Sequence, residues 1–164
     1  MTGIAASIEG RSFFDGQRVR AIPPREVTEL MLDLLALKPT DKVLEIGTGS
    51  ATQTAEWAMR AKEVHTVELR RYNCCESLGN HVYFREADGK DGLCSEAPFD
   101  AIVVTCGTTE LYPEWIKQLA EGGRLVVPMG NAELQRITLF MKVHGVIGAV
   151  RVGGYSRFQM MEKR

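Results

Sequence analysis

The stretch VLEIGTGSATQTAEWA, residues 43–58, places a short aliphatic run directly before two glycines and a helix-forming segment. A run of this kind is typical of a strand that is buried on both faces. Gly47 and Gly49 permit positive φ angles and let a ligand approach the backbone without a Cβ in the way. In an open α/β sheet, ligands bind where a strand turns into its helix. The stretch therefore predicts an α/β fold with a ligand site at its glycine turn.

The rest of the chain also alternates between strand-like and helix-like segments. A helix is predicted from Pro24, where apolar residues follow helical spacing as far as Leu37 and Pro39 signals the end. Two further helices are predicted at 52–61 and 112–120, and parallel strands at 42–47, 63–69, 81–88, 99–106 and 122–130. Strands at 134–143 and 148–161 flank His144-Gly145 and are expected to be antiparallel, because no helix separates them.

This pattern predicts one α/β domain over residues 1–164, with a mostly parallel sheet, helices on both faces and an antiparallel edge. Residues 24–164 form the expected core. Residues 1–23 show no clean period and are interpreted as a lead-in and substrate loop.

Charge and composition narrow the function classes. The 164 residues include 20 basic and 21 acidic ones, so no electrostatic reason favours a nucleic-acid partner or a membrane surface. No run approaches the ~18 apolar residues of a membrane span. The first fifteen residues lack the order of a signal peptide, which favours a cytoplasmic location. The four cysteines form no CxxC pair, so no metal site is expected.

Acidic residues stand near the carboxyl ends of three consecutive predicted strands. They are Glu45, Glu68 and Asp88. An acid in the position of Glu68 can accept both hydroxyls of a ribose. Thr52 stands where the dinucleotide pattern requires its third glycine, and the charge of Glu45 would repel a pyrophosphate. The set favours a cationic nucleoside such as S-adenosylmethionine, although each acid alone could be a surface or capping residue.

Five ordered segments, 45–55, 64–68, 87–89, 97–105 and 121–130, resemble the protein-L-isoaspartate O-methyltransferase family. The resemblance implies the class I methyltransferase fold, a Rossmann-like seven-stranded mixed sheet flanked by helices with the last strand antiparallel. It also implies S-adenosyl-L-methionine as the cofactor and S-adenosyl-L-homocysteine as the product. The implied reaction esterifies the carboxylate of an isoaspartyl residue in damaged protein, and the ester then collapses through a succinimide.

The resemblance also assigns site residues. Those implied to bind the cofactor are Glu45, Ile46, Gly47, Thr48, Gly49, Ser50, Glu68, Leu69, Asp88, Gly89 and Thr105. Thr105 would also border the transfer site, and Arg157 would lie on the substrate side.

Two positions depart from the family pattern. Ala51 replaces the last glycine of the usual turn, and Pro23 stands where the family carries a serine beside the acceptor carboxylate. The loop around Pro23 contains no serine or threonine, but Arg18, Arg20 and Arg25 could clamp an anionic substrate instead. The helical portion that the family carries before this loop is expected to be absent or confined to residues 1–15.

The acceptor therefore stays open at the level of sequence. A carboxylate acceptor is already ionised at neutral pH and needs no general base, which agrees with the lack of an obvious one. One alternative is the same fold acting on a small molecule, a modified peptide or a nucleic acid. Another is a catalytically degenerate relative that binds the cofactor without transferring its methyl group.

Overall fold

A computed structural model describes residues 12–14, 19–21, 23–70 and 78–162. Its helices are α1 (Arg25–Leu35), α2 (Thr52–Ala58) and α3 (Pro113–Gln118). Its strands are β1 (Ser12–Phe14), β2 (Val19–Ala21), β3 (Lys42–Ile46), β4 (Glu63–Glu68), β5 (Val82–Glu86), β6 (Phe99–Val104), β7 (Leu119–Gly130), β8 (Gln135–Val143) and β9 (Val146–Ser156).

Strands β3 to β9 form one seven-stranded sheet in the order β5-β4-β3-β6-β7-β8-β9. The first five in that order pair in parallel, while β8 pairs antiparallel with both β7 and β9. The predicted mixed sheet is confirmed, and so is the hairpin at His144-Gly145. His144 and Gly145 both have positive φ angles. The strand order reverses at β3, so its carboxyl end is a topological switch point, where α/β proteins place ligands.

Apolar side chains cover both faces of this sheet. On one face, Met31 and Leu35 of α1 and Trp57 of α2 pack together with Val43 and other strand residues. On the other face, Trp115 of α3 packs in a second cluster of buried strand residues. Burial of a large apolar side chain stabilises the fold by about 1.5–3 kcal/mol, so these two layers hold the helices on the sheet.

Several helices and strands end earlier than the sequence predicted, and the ends of α1 and β9 have a clear structural cause. Helix α1 ends at Leu35 rather than continuing to Leu37, because Ala36 adopts a left-handed conformation and donates its N–H to Leu32 O. Strand β9 ends at Ser156 rather than 161. The residues that follow leave β8 and bond to Gly107 instead, which donates to Gln159 O and accepts from Met161 N, both at 2.8 Å.

The start of β7 and the presence of β1 and β2 also differ from the sequence prediction. Strand β7 begins at Leu119, before the glycine pair predicted to open it, and its pairing with β6 shifts register between Phe99 and Ala101. Strands β1 and β2 form an antiparallel pair in the segment predicted to lack a regular period. Both are only three residues long, too short to show a clear alternation in the sequence.

The glycine turn needs left-handed backbone at three positions. Gly47 and Gly49 have φ angles of 99° and 53°, and Ala51, the residue before α2, has φ 60°. A left-handed conformation costs an L-residue about 1–2 kcal/mol. The family glycine at position 51 therefore has a backbone reason, and Ala51 carries the strain that this glycine avoids.

Substituting Ala51→Gly should stabilise the protein by about 0.5–1 kcal/mol, since relief of strain exceeds the entropy that glycine adds to the unfolded chain. Ala36→Gly removes the same kind of strain at an exposed helix end and should act in the same direction. Urea unfolding of both variants measures the effect as a shift in midpoint at constant m-value. Ala55→Gly, inside α2, is the control and should destabilise by about 1 kcal/mol. A destabilised Ala51→Gly variant would show that the Ala51 methyl contributes more through packing than it costs through strain.

Candidate functional site

A cleft of about 650 Å³ opens at the carboxyl ends of β3, β4 and β6. Its volume falls in the range of small-molecule sites, about 300–1,000 Å³. The start of α1, the β7–β8 loop and the tail after β9 close its other side. Predicted site residues that line it are Pro23, Ile46, Gly47, Thr48, Gly49, Ser50, Glu68, Leu69, Gly89, Thr105 and Arg157.

Glu68 is held against the glycine turn by backbone groups. One carboxylate oxygen accepts from Gly49 N and the other from Leu69 N, both at 3.0 Å. The side chain is buried, with 8% of its surface exposed. Each oxygen of a carboxylate can accept more than one hydrogen bond, so a carboxylate held in this way can also accept hydroxyl donors from a ligand.

Thr105 supports the same turn from β6. Its hydroxyl donates towards Ile46 O at 2.9 Å and contacts Gly47 O more closely still. A Cβ on Gly47 would lie only 2.7 Å from Thr105 Oγ1, so this position requires glycine for space as well as for its φ angle. Thr105 therefore fixes the shape of the turn, and its hydroxyl is engaged with backbone.

Cys106, beside Thr105, also lines the cleft. Burial, with a smaller contribution from Glu68, raises the pKa of its thiol to about 12. The thiol is therefore neutral at physiological pH, which makes it a poor nucleophile.

Glu45 was predicted to line the ligand site, and its position corrects this prediction. It is not among the residues that line the cleft. Alternation along β3 turns it, with Val43, towards the face covered by α1 and α2. There it is completely buried and accepts from Thr54 Oγ1 at 2.5 Å, Thr66 Oγ1 at 2.7 Å and Trp57 Nε1 at 2.8 Å. Burial raises its pKa to about 7, although the three hydrogen bonds act in the opposite direction.

Asp88 lies next to the cleft but is not among the residues that line it. Its carboxylate accepts from Lys90 N at 3.1 Å at the start of a short 3-10 helix, and it lies 3.2 Å from Lys90 Nζ. Gly89 does line the cleft, and its carbonyl accepts from Trp115 Nε1 at 2.8 Å. The expectation that three carboxylates share one rim is thus corrected: of Glu45, Glu68 and Asp88, Glu68 is the one that lines the cleft.

The opposite wall of the cleft contains Pro23 and Arg157. Arg157 is exposed and donates its Nε to Glu133 O at 3.1 Å, which orients the guanidinium beside the β7–β8 loop. Pro23 has neither a side-chain donor nor a backbone N–H. The structure does not support Arg25 as part of a clamp, because its side chain is 88% exposed and pairs with Glu29 on α1. Arg18 lies outside the described residues.

Sequence reasoning missed the apolar part of this wall. Leu134, Phe158, Met160 and Met161 all line the cleft. Leu134 was assigned to the strand predicted at 134–143 and the other three to the strand at 148–161, and nothing in their spacing indicated that the chain leaves β8 after Ser156.

The described residues offer neither a metal centre nor a membrane span. No group of three or more His, Cys, Asp or Glu side chains within them could hold a metal ion. None of the described helices has the length and apolar character needed to cross a membrane.

Comparison with known proteins identifies the class. The family model for protein-L-isoaspartate(D-aspartate) O-methyltransferase matches residues 17–153. A solved protein-L-isoaspartate O-methyltransferase superposes with a TM-score of 0.81 at 28% identity, covering 92% of this chain and 51% of the other. A Plasmodium falciparum structure of the same family, in complex with S-adenosyl-L-homocysteine, superposes with a TM-score of 0.73 at 18% identity and covers 93% and 79% of the two chains. The fold is that of the class I methyltransferases, as the sequence resemblance implied.

Curated relatives define the family within that class. Protein-L-isoaspartate O-methyltransferase 2 of Geotalea uraniireducens (strain Rf4) is 45% identical over 128 residues, which cover 74% of this chain and 58% of the relative. The enzyme of Pseudomonas aeruginosa (strain LESB58) is 41% identical over 123 residues, 71% and 57% of the two chains. The chain belongs to the protein-L-isoaspartate O-methyltransferase family. It spans less than two thirds of the length of these relatives.

The buried position of Glu45 predicts a dependence of stability on pH. Its pKa rises from an ordinary value of 4.5 to about 7 in the fold, so the folded state binds a proton more tightly than the unfolded state between these values. Stability from this group is therefore present below pH 4.5 and decreases as pH rises to 7, by about 3 kcal/mol. Glu45→Gln should remove this dependence of the unfolding free energy on pH. The variant should therefore gain stability relative to the parent as pH rises from 4.5 to 7, as measured by urea unfolding.

Glu121→Gln provides a control of opposite sign. Hydrogen bonds from Gly145 N and His144 N lower the pKa of Glu121, so its contribution is present above pH 4.5 and is lost as pH falls. This variant should lose stability relative to the parent as pH rises. Parallel pH profiles for the parent and Glu45→Gln would contradict the assignment of a raised pKa to Glu45.

Proposed function

We propose that the cleft binds S-adenosyl-L-methionine and supports methyl transfer to the carboxylate of an isoaspartyl residue in a protein or peptide. The observation that carries the proposal is the attachment of Glu68 to the glycine turn, with its carboxylate between Gly49 N and Leu69 N at the switch point of the sheet. An acid fixed in this position is suited to accept the hydroxyls of a ribose. Membership of the family supports the same reaction, as does the S-adenosyl-L-homocysteine complex of the Plasmodium relative.

The residues present fit this cofactor. A Cβ added to Gly49 would meet nothing within 4 Å, so open space lies directly before the turn. The cleft holds apolar surface from Ile46 and Leu69 for a base, and the carboxylate of Glu68 for polar groups of the ligand. When bound, S-adenosylmethionine supplies an activated methyl group on a sulfonium. The chain's contribution is to hold donor and acceptor in line and to exclude water.

The acceptor side agrees with an anionic substrate. Arg157 presents a guanidinium at the cleft, which can pair with a carboxylate through two parallel hydrogen bonds. A carboxylate with a pKa of ~4 is ionised at neutral pH, so no residue has to remove a proton from it. Pro23 supplies no hydroxyl, so orientation of the acceptor falls to Arg157 and the backbone around it.

Incubation with methyl-labelled cofactor tests the reaction directly. An L-isoaspartyl peptide and its aspartyl twin differ only in which carboxyl group carries the chain. Label should enter the isoaspartyl peptide alone, as an ester that base hydrolyses. Equal labelling of both peptides, or of neither, would reject the proposed reaction.

Glu68→Ala should weaken binding of S-adenosyl-L-homocysteine by about 1–3 kcal/mol, because the ribose loses a charged partner and Gly49 N loses the group that fixes the turn. Isothermal titration calorimetry measures the change. Glu63→Ala, at the other end of β4, is the control and should leave affinity unchanged. Unchanged affinity in Glu68→Ala would mean that the ribose binds elsewhere.

Arg157→Ala should raise KM for the isoaspartyl peptide roughly tenfold, the scale of one lost charged hydrogen bond, and leave cofactor affinity unchanged. Steady-state kinetics at saturating cofactor give the value. Arg151→Ala removes an exposed arginine of β9 that does not line the cleft and should have no effect. A change in cofactor affinity with an unaltered KM for the peptide would mean that Arg157 contacts the cofactor and not the methyl acceptor.

A further inference from the structure

Gln135, the first residue of β8, is a completely buried amide that joins two separate segments of the cleft wall. Its Nε2 donates to Asn131 O, at the start of the β7–β8 loop, and more weakly to Phe158 O at 3.4 Å. Its Oε1 accepts from Phe158 N at 2.6 Å. One side chain thus binds both the loop and the tail through backbone groups.

These two segments form what we call the acceptor wall: Glu133 and Leu134 of the loop, and residues 155–162, which comprise the end of β9 and the tail that follows it. The loop is folded around Asn131, whose Oδ1 accepts from Glu133 N and Leu134 N, both at 3.0 Å. Arg157 then joins loop and tail a second time through its bond to Glu133 O. The position of the Arg157 guanidinium therefore depends on the bonds that Gln135 makes to both segments.

Gln118, the last residue of α3, has the same kind of role on the other side of the cleft. It is 2% exposed, accepts from Leu93 N at 2.7 Å and donates to Asp91 O at 2.8 Å. These bonds fix the turn that follows Gly89, a residue that lines the cleft. Among the described residues, Gln118 and Gln135 are thus buried glutamines that each bond to backbone groups, in different parts of the same cleft.

We propose that Gln135 is a positioning residue for the methyl acceptor, which sets the affinity for the isoaspartyl substrate by holding the acceptor wall. This inference rests on the proposed function. If the amide is lost, Phe158 N and Asn131 O are left without their buried partner, and such groups move towards water or other partners. Movement of either displaces Arg157 and Leu134, whereas the bonds that hold Glu68 to the glycine turn do not involve Gln135.

Methionine provides the test, since Gln135→Met keeps the length of the side chain and removes the three hydrogen bonds of the amide to Asn131 and Phe158. This variant should raise KM for the isoaspartyl peptide at least tenfold, with the Kd for S-adenosyl-L-homocysteine within twofold of the parent. Gln118→Met is the matched control and should show the reverse: a raised Kd for S-adenosyl-L-homocysteine and a KM for the peptide, at saturating cofactor, within twofold. Amide hydrogen exchange should increase in residues 131–134 and 157–161 in the first variant and in residues 89–93 in the second.

Gln135→Glu separates positioning from simple structural support. A protonated carboxyl keeps an acceptor oxygen and one O–H donor in place of the two N–H donors of the amide, whereas a carboxylate cannot donate to Asn131 O. Peptide KM should therefore be high at pH 8 and return towards the parent value as pH falls to 6, with the parent measured at each pH. This variant also serves if Gln135→Met does not fold.

The outcomes distinguish this inference from the proposed function. A parent protein that labels no isoaspartyl peptide overturns the proposed reaction, and the acceptor role of Gln135 with it. An active parent whose peptide KM is unchanged in Gln135→Met overturns the inference alone. The same holds if the Gln135 and Gln118 variants impair peptide and cofactor binding equally, or if Gln135→Glu shows no recovery at low pH.

Discussion

The architecture of the site depends on one buried carboxylate, that of Glu45. It connects β3 to α2 through Thr54 and Trp57, and to β4 through Thr66, its partner in the parallel register. Thr66 in turn lies 2.6 Å from Thr48 in the glycine turn. Burial of an ionised acid opposes folding unless hydrogen bonds compensate, and here three donors offset part of that cost, since the pKa stays raised. These bonds fix where α2 begins relative to β3, and the turn between them takes its shape from that distance.

The acids at the ends of β3 and β4 thereby acquire different functions. Glu45, two residues before the first glycine, points into the helix-covered face, where its carboxylate is buried among three hydrogen-bond donors. Glu68, the last residue of β4, reaches past the sheet edge and bonds to the turn itself. The two remain close enough that the charge of Glu68 contributes to the raised pKa of Glu45. A single rim of carboxylates would have concentrated repulsion at the ligand site, whereas this arrangement leaves Glu68 alone to face the cleft from these two strands.

The parts of this molecule that depend on neighbours along the chain could be predicted from the sequence. Buried strands, the glycine turn and the position of Glu68 all follow from local patterns, because period and backbone requirements are written in consecutive residues. The orientation of Glu45 could have been predicted from strand alternation, which places its side chain on the opposite face of the sheet from Ile46. The exit of the chain from β8 after Ser156 could not, since it depends on bonds to Gly107 and on the amide of Gln135, far away in sequence.

The same distinction separates the two sides of the cleft. The side proposed to bind the cofactor is made of strand ends whose geometry the parallel sheet imposes. The acceptor wall is a loop and a tail joined by individual side-chain bonds, and Pro23, just before α1, lies on the same side. Changes in the loop, or in the tail after Ser156, leave the pairing of β8 with β9 intact, because these residues lie outside it. Under the proposed function, a chain of this family can therefore change its methyl acceptor at this wall, where Pro23 lies, without changing the residues proposed to bind the nucleoside.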